Sequence, residues 1–95
     1  MSQNIKKNKL YLVISTPLPV SINREKLRKE HFEYLSQLKK EGKLILGGKF
    51  TGDKTGGMYI LKCKSMLEAK KLTNNDAYHK NKIRSFIIYE LDQRL

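Results

Sequence analysis

Hydrophobic and polar residues in the first half of the chain predict a strand followed by a long helix. Residues 9–16 combine β-branched and aromatic side chains over a run too short for a helix, and Pro17 follows them, which predicts a strand. Between residues 23 and 41, apolar side chains recur at the spacing of an amphipathic helix. Its apolar stripe consists of Leu27, Tyr34, Leu35 and Leu38. Gly42 is the expected residue just beyond the end of that helix.

The second half of the chain predicts three more strands and a shorter helix. The predicted elements are a second strand at 43–51, a third strand at 57–63, a second helix after Ser65 that ends at 74–76, and a fourth strand at 84–91. Only a short polar turn separates the second and third strands, which predicts an antiparallel hairpin, and Gly47–Gly48 predict a bulge in it. Ser65 and Glu68 have the spacing of a capping box. The apolar side of the second helix is predicted to be Leu67, Ala69 and Leu72.

The element order β-α-β-β-α-β predicts the fold. Because each βαβ crossover is right-handed, the four strands should form one antiparallel sheet with both helices on one face, the ferredoxin-like arrangement of the α+β class. The first and last strands have apolar side chains on both sides, such as Leu12 beside Val13 and Ile87 beside Ile88. A second subunit would cover the remaining face, so we expect a homodimer packed sheet against sheet. We expect one domain over residues 1–95, with residues 1–8 as a flexible extension.

The composition excludes several classes of protein. The 95 residues are 39% hydrophobic and 31% charged, the balance of a folded globular chain. One Cys excludes a disulfide framework and a zinc site of several thiolates, and it fits a reducing compartment. No apolar run reaches the roughly 20 residues that a membrane span needs, and the first residues do not resemble a signal peptide. We therefore expect a cytoplasmic protein with no membrane contact.

The net charge of +11 points toward an anionic partner. Most of the basic residues are Lys in scattered pairs, such as Lys39–Lys40 and Lys70–Lys71, a pattern typical of a solvated surface. RNA-recognition modules share the predicted fold, but residues 57–63 do not match their aromatic strand signature. A nucleic-acid partner is therefore not expected.

His31 and Asp76 are the main candidates for chemistry. His31 lies four residues after Leu27 and four before Leu35, on the buried stripe of the first helix. An imidazole in an apolar cleft suits acid–base chemistry, although its position alone favours a core histidine with satisfied ring nitrogens. Asp76 follows the second helix and could orient that imidazole, or it could bond its own backbone in a turn.

Fewer observations support the other candidate residues. Gly47 and Gly48 would let a ligand approach the second strand, and a plain bulge is the alternative. Tyrosines such as Tyr78 could line a pocket for aromatic or enol-type compounds. His79 lies in a Lys-rich segment and is predicted to be exposed, and Cys63 is predicted to be a core residue. These residues have no recognisable metal-ligand spacing, so neither a metal nor a cofactor is expected.

Four short motifs, in order, resemble the YCII-related family of small dimeric α+β barrel proteins. The segment from Arg28 to Leu35 is similar to the family's Arg-x-x-His-Leu helix, and 42–48 is similar to its Gly-x-Leu-Leu-x-Gly-Gly strand. Residues 56–61 resemble its third strand, and 75–78 resemble its Asp-Pro-Phe/Tyr loop. The resemblance covers residues 10–91, with Ala77 and Lys49 standing where the family usually has Pro.

This resemblance implies a ferredoxin-like homodimer with an active site centred on His31 and Asp76 and with Arg28 nearby. We therefore expect a cofactor-independent enzyme that binds a small organic molecule, anionic or enolic, and moves a proton on it, as a lyase or isomerase does. His31 would move the proton, Asp76 would orient His31, and Arg28, Gly47, Gly48 and Tyr78 would bind the ligand. A non-catalytic ligand-binding or stress-associated module on the same fold is the alternative.

Overall fold

The computed structural model describes residues 8–20, 22–52 and 54–95, so the predicted extension lies outside the described residues except for Asn8. The elements are β1 (Lys9–Pro17), α1 (Arg24–Lys40), β2 (Leu44–Lys49), β3 (Gly57–Cys63), α2 (Met66–Asn74), α3 (Ala77–Lys80) and β4 (Arg84–Leu91). All six predicted elements are present within a few residues of their expected bounds. The single-turn helix α3 was not predicted.

The four strands form one antiparallel sheet in the order β2-β3-β1-β4. The first strand is central and pairs with both β3 and β4, so the two halves of the chain are joined through its backbone hydrogen bonds. This is the predicted ferredoxin-like α+β fold. None of the described helices is both long and apolar enough to cross a membrane.

One face of the sheet and the two longer helices enclose the main core. Tyr11 and Val13 of β1 are buried there beside Tyr59 and Leu61 of β3. The helices contribute Leu38 of α1 and Ala69 of α2 to the same cluster, and Cys63 is buried in it as predicted. The prediction for Leu67 was wrong, because this residue is 64% exposed and Met66 packs against the core instead.

The opposite face of the sheet is apolar and has no cover among the described residues. Leu12 and Ile60 are half-buried at its centre, whereas Ile87 and Tyr89 of β4 are 56% and 54% exposed. The register places Ile14 opposite Ile87 and Leu12 opposite Tyr89, so these side chains lie on one surface. The alternating apolar residues of β1 and β4 therefore do occupy both faces.

The irregularity in β2 lies earlier than the sequence suggested. The register shifts between Leu44 and Leu46, whereas Gly47 and Gly48 pair regularly with Tyr59 and Met58. The extra residue is therefore Ile45, and the prediction of a bulge at the two glycines was wrong. At Gly47 a side chain would meet the Tyr59 Cβ at 3.0 Å, so this glycine permits close approach of the two strands.

Local capping sets the ends of α1 and α2. Asn23 accepts a hydrogen bond from the Glu25 backbone N–H at the start of α1, and Gly42 has a φ of 76° just beyond its end. At the start of α2, Ser65 accepts from the Glu68 N–H at 3.1 Å, as the capping box predicts. The caps define where α1 and α2 begin and end, whereas packing of buried Leu27 and Leu38 turns the His31 side of α1 toward the sheet.

Candidate active site

His31 lies on the side of α1 that faces the sheet, as its spacing from Leu27 and Leu35 predicts. Its side chain is only 14% exposed, and its Nδ1 lies 2.6 Å from the Oδ1 of Asp76. This short contact joins residues 45 apart in sequence, and both belong to the same chain. The predicted pair therefore forms within one subunit.

Asp76 is fully buried because it starts α3, and α3 is packed into the protein. Ala77 and Ile83 pack with Leu27 of α1 in a second small core cluster, which holds the helix start beside His31. The Asp76 Oδ1 also accepts the Tyr78 backbone N–H at 3.1 Å, as an N-cap residue does. Asp76 therefore both caps the local backbone and contacts His31, the two roles that the sequence left open.

The environment of Asp76 keeps its carboxylate ionised. Burial alone would raise the pKa of Asp76, but the His31 hydrogen bond, the His79 contact and their charges outweigh burial and hold this pKa below its usual range. The Tyr59 hydroxyl donates to Asp76 Oδ2 at 3.3 Å. Burial and the nearby Asp76 charge raise the pKa of Tyr59, so the hydroxyl stays protonated and remains a donor.

Aromatic rings fix the orientation of the His31 imidazole. The Tyr78 ring stacks on it with centroids 4.1 Å apart and an interplanar angle of 15°. Phe32 contacts it edge-on at 5.0 Å. The guanidinium groups of Arg84 and Arg28 lie over the Tyr78 and Phe32 rings, respectively, at 5.0 and 5.8 Å from the ring centroids.

The prediction that His79 is exposed was wrong. Its residue exposure is 6%, because the single turn of α3 directs it inward, where its ring meets Phe86 edge-on at 5.0 Å. The Nε2 of His79 lies 2.8 Å from Ser15 Oγ. Its Nδ1 lies 3.3 Å from Asp76 Oδ2, an ion-pair distance outside hydrogen-bond geometry. Asp76 is therefore flanked by two imidazoles, one on each carboxylate oxygen.

A cavity of about 580 Å³ lies beside His31, within the range of sites for small organic ligands. Its walls come from β1, α1, β2, β3, α3 and the start of β4. The cationic side chains that line it are Arg28, Lys39, Lys49 and Arg84. No Asp or Glu lines the described part of the cavity, so its electrostatic field favours a negatively charged ligand.

The structure brings the predicted site residues together around this cavity. Arg28, His31, Gly47, Gly48 and Tyr78 all line it, whereas Asp76 lies behind His31 and does not reach the cavity. The sequence pointed to Tyr59 only as one of several tyrosines that could line a pocket, and it did not single out Ser15 or Arg84 for the site. Asp76 is the N-cap of α3, and His79 follows it by three residues, which is one helical turn. This spacing could have predicted that His79 contacts the Asp76 carboxylate in addition to His31.

The arrangement suits proton transfer. In the neutral tautomer that directs its Nδ1 proton at Asp76, the His31 ring has a free electron pair on Nε2, which can accept a proton. The carboxylate then stabilises the imidazolium that forms. Within the described residues, no three His, Cys, Asp or Glu side chains are arranged to hold a metal ion.

Comparison with known proteins identifies the family of the chain and a solved structure with a similar fold. The model of the YCII-related domain matches residues 9–93. The fold is similar to that of 5-chloro-2-hydroxyhydroquinone dehydrochlorinase (TftG) from Burkholderia phenoliruptrix AC1100, solved in complex with 2,5-dihydroxybenzoquinone. The two structures superpose with a TM-score of 0.73 and 25% sequence identity, over 90% of this chain and 95% of that chain. A search of curated proteins gave no match.

Proposed function

The chain belongs to the YCII-related family, and from this membership we propose that it is a cofactor-independent enzyme that moves a proton on a small anionic or enolic organic molecule. The 2.6 Å contact between His31 and Asp76 carries this proposal, because it directs one ring nitrogen to a buried carboxylate and leaves the other for the ligand. The similarity to a dehydrochlorinase supports an enzyme-like fold for small molecules. Elimination and isomerisation are the reaction types that a single proton-transferring His can begin.

In this proposal, His31 takes a proton from a carbon or hydroxyl of the ligand through Nε2. Asp76 orients the ring and stabilises its charged form, because the carboxylate is buried and ionised. The stacked Tyr78 holds the imidazole plane so that Nε2 faces the cavity. No step of this sequence needs a cofactor.

The cationic wall of the cavity would select an anionic ligand and favour an enolate over its neutral form. Arg28 and Arg84 are the residues best suited to this role, because a guanidinium presents a fork of donors to paired oxygens. The two side chains lie over rings that themselves contact His31 or stack on it. An anion that they bind would therefore lie beside the reactive nitrogen.

Binding of 2,5-dihydroxybenzoquinone tests the proposed ligand class, because this planar compound has two acidic enol hydroxyl groups. We expect saturable binding by calorimetry, weakened at least roughly tenfold in Arg84→Gln through loss of a charge-assisted interaction. Arg94→Gln, which removes the same charge from an exposed position, is the matched control. Equal affinity in both variants, or no binding by the wild type at millimolar concentration, would contradict the proposed ligand class.

Deuterium exchange tests the proposed chemistry. In heavy water, the wild type should accelerate loss of the ring C–H signals of 2,5-dihydroxybenzoquinone, and His31→Gln should abolish the acceleration while binding persists. Lys29→Gln, on the exposed side of the same helix, should behave as the wild type does. If the compound binds but its exchange is unaffected by the protein, the enzyme proposal fails and the non-catalytic binding module is favoured.

We also propose that the apolar outer face of the sheet pairs with the same face of a second subunit, which makes the protein a homodimer. Exposed apolar side chains line this face at Ile87 and Tyr89 of β4. Light scattering after size exclusion should give a dimer for the wild type and a monomer for Ile87→Lys. Leu67→Lys, at an equally exposed apolar position on α2, should remain a dimer. A monomeric wild type would refute the proposal.

A further inference from the structure

Ser15 and His79 form a second polar arm on the carboxylate that holds His31. The Ser15 Oγ lies 2.8 Å from the His79 Nε2, although the two residues are 64 apart in sequence. Both residues are buried, and the His79 side chain is 1% exposed. The other His79 ring nitrogen faces the Asp76 Oδ2 at 3.3 Å.

The two imidazoles are arranged alike around Asp76. Each directs its Nδ1 at one carboxylate oxygen, and each has its Nε2 on the far side of the ring. His31 itself lines the cavity, whereas the Nε2 of His79 reaches the cavity through Ser15, which is part of the cavity wall. Two members of this polar network, His31 and Ser15, therefore line the same cavity.

The His79 Nδ1 is buried and has no hydrogen-bond partner in the described residues. A buried ring nitrogen without a hydrogen bond is costly in a merely structural network. Its position is favourable when His79 is an imidazolium, because Asp76 then lies at ion-pair distance. The geometry therefore accommodates a proton on either of the two rings.

We propose that Ser15 and His79 are the second proton-transferring arm of the active site, with Ser15 contacting the ligand and His79 exchanging a proton with Ser15. This inference rests on the proposed proton-transfer function and assigns the group that complements His31. An isomerisation needs both a base and an acid, and the two ends of the network supply one of each.

Protons and electron pairs balance in each half of the proposed isomerisation. His31 accepts a proton at Nε2 from a ligand carbon as the C–H bond breaks and the electron pair moves to the ligand oxygen. The Ser15 hydroxyl gives its proton to that oxygen and recovers one from the Nε2 of imidazolium His79. One imidazolium is present throughout this half, on His79 first and on His31 afterwards, and Asp76 faces both rings. In the second half, His31 gives its proton to a different ligand carbon as the C=O bond re-forms. The ligand hydroxyl returns its proton through Ser15 to the Nε2 of His79, which restores the starting state.

The deuterium-exchange assay with 2,5-dihydroxybenzoquinone tests the second arm in three variants. Ser15→Ala should slow exchange at least roughly tenfold while the dissociation constant stays within about twofold. His79→Gln keeps groups that can hydrogen-bond to Ser15 but cannot carry a proton, so it should slow exchange to a similar extent. Thr16→Ala, at the neighbouring exposed position, should leave the rate unchanged. Thermal unfolding of each variant verifies that the chain is folded.

The outcomes separate this inference from the proposed function. If His31→Gln abolishes exchange but Ser15→Ala and His79→Gln keep the wild-type rate, the second arm is refuted and the function of His31 stands. If His79→Gln keeps the rate and Ser15→Ala does not, His79 only supports Ser15, and the relay is refuted. If His31→Gln exchanges deuterium at the wild-type rate, both proposals are refuted.

Discussion

Replacing Asp76 with Asn should destabilise the protein strongly at neutral pH. The carboxylate is fully buried and receives hydrogen bonds from His31, Tyr59 and the Tyr78 N–H. Loss of the charge-assisted bond to His31 costs about 1.5–3 kcal/mol, and a buried NH₂ group that faces donors costs about 1–3 kcal/mol more. We expect a total of about 2.5–6 kcal/mol, which corresponds to a fall in Tm of at least roughly 10–20 °C for a domain of this size.

The effect should depend on pH with a definite sign. The pKa of Asp76 is lowered in the folded protein from its usual 3.8. The stabilisation is therefore fully present above that value, and it is lost as pH falls toward the folded pKa. At pH 3 the unfolded chain already binds most of one proton there, so the difference between wild type and Asp76→Asn should be about 1 kcal/mol smaller than at pH 7.

Urea unfolding followed by circular dichroism at pH 7 and pH 3 measures both quantities. Asp92→Asn, which removes an exposed carboxylate paired with Arg94, is the control and should change stability by less than about 0.5 kcal/mol. A loss below about 1 kcal/mol for Asp76→Asn at pH 7 would refute the reasoning about this buried carboxylate. An equal loss at both pH values would refute the lowered pKa.

Three further predictions concern the fold. Gly56→Ala should destabilise the protein severely or prevent folding, because a Cβ there would lie 2.3 Å from a backbone oxygen of β1 and the φ of Gly56 is 84°. Gly48→Ala is the control and should keep the wild-type Tm, because the space around Gly48 is open. Tyr34→Phe should cost about 1 kcal/mol in urea unfolding, because the hydroxyl donates to an α2 carbonyl at 2.7 Å, and no change would contradict that role. Ser65→Ala should cost about 1 kcal/mol through the lost cap of α2, and Ser65→Asp should restore it.

The sequence predicted what depends on local periodicity. The spacing of His31 from Leu27 and Leu35 placed the imidazole on the inner side of α1, where it lies. The element order also predicted the sheet, because crossover handedness leaves few alternatives. Homodimer formation and a cytoplasmic location remain predictions.

The errors arose where tertiary packing overrides local composition. His79 stands among lysines and appeared exposed, but Ala77 and Ile83 anchor α3 against α1, and its single turn directs the histidine inward. Leu67 was predicted to be a core residue because its side chain is apolar, but the neighbouring Met66 packs against the core from the first turn of α2. The 2.6 Å contact of His31 with Asp76 depends on α1 and α3 meeting in space, which no local pattern encodes.

The ¹⁵N spectrum of the His31 imidazole at neutral pH, recorded with and without 2,5-dihydroxybenzoquinone, tests the central claim most directly. In the free protein, a proton on Nδ1 directed at Asp76 and an unprotonated Nε2 are expected, and the compound should shift the Nε2 resonance most. His31→Gln serves to assign the signals. A proton on Nε2 with a bare Nδ1, or an Nε2 resonance that does not respond while the compound binds, would contradict the account.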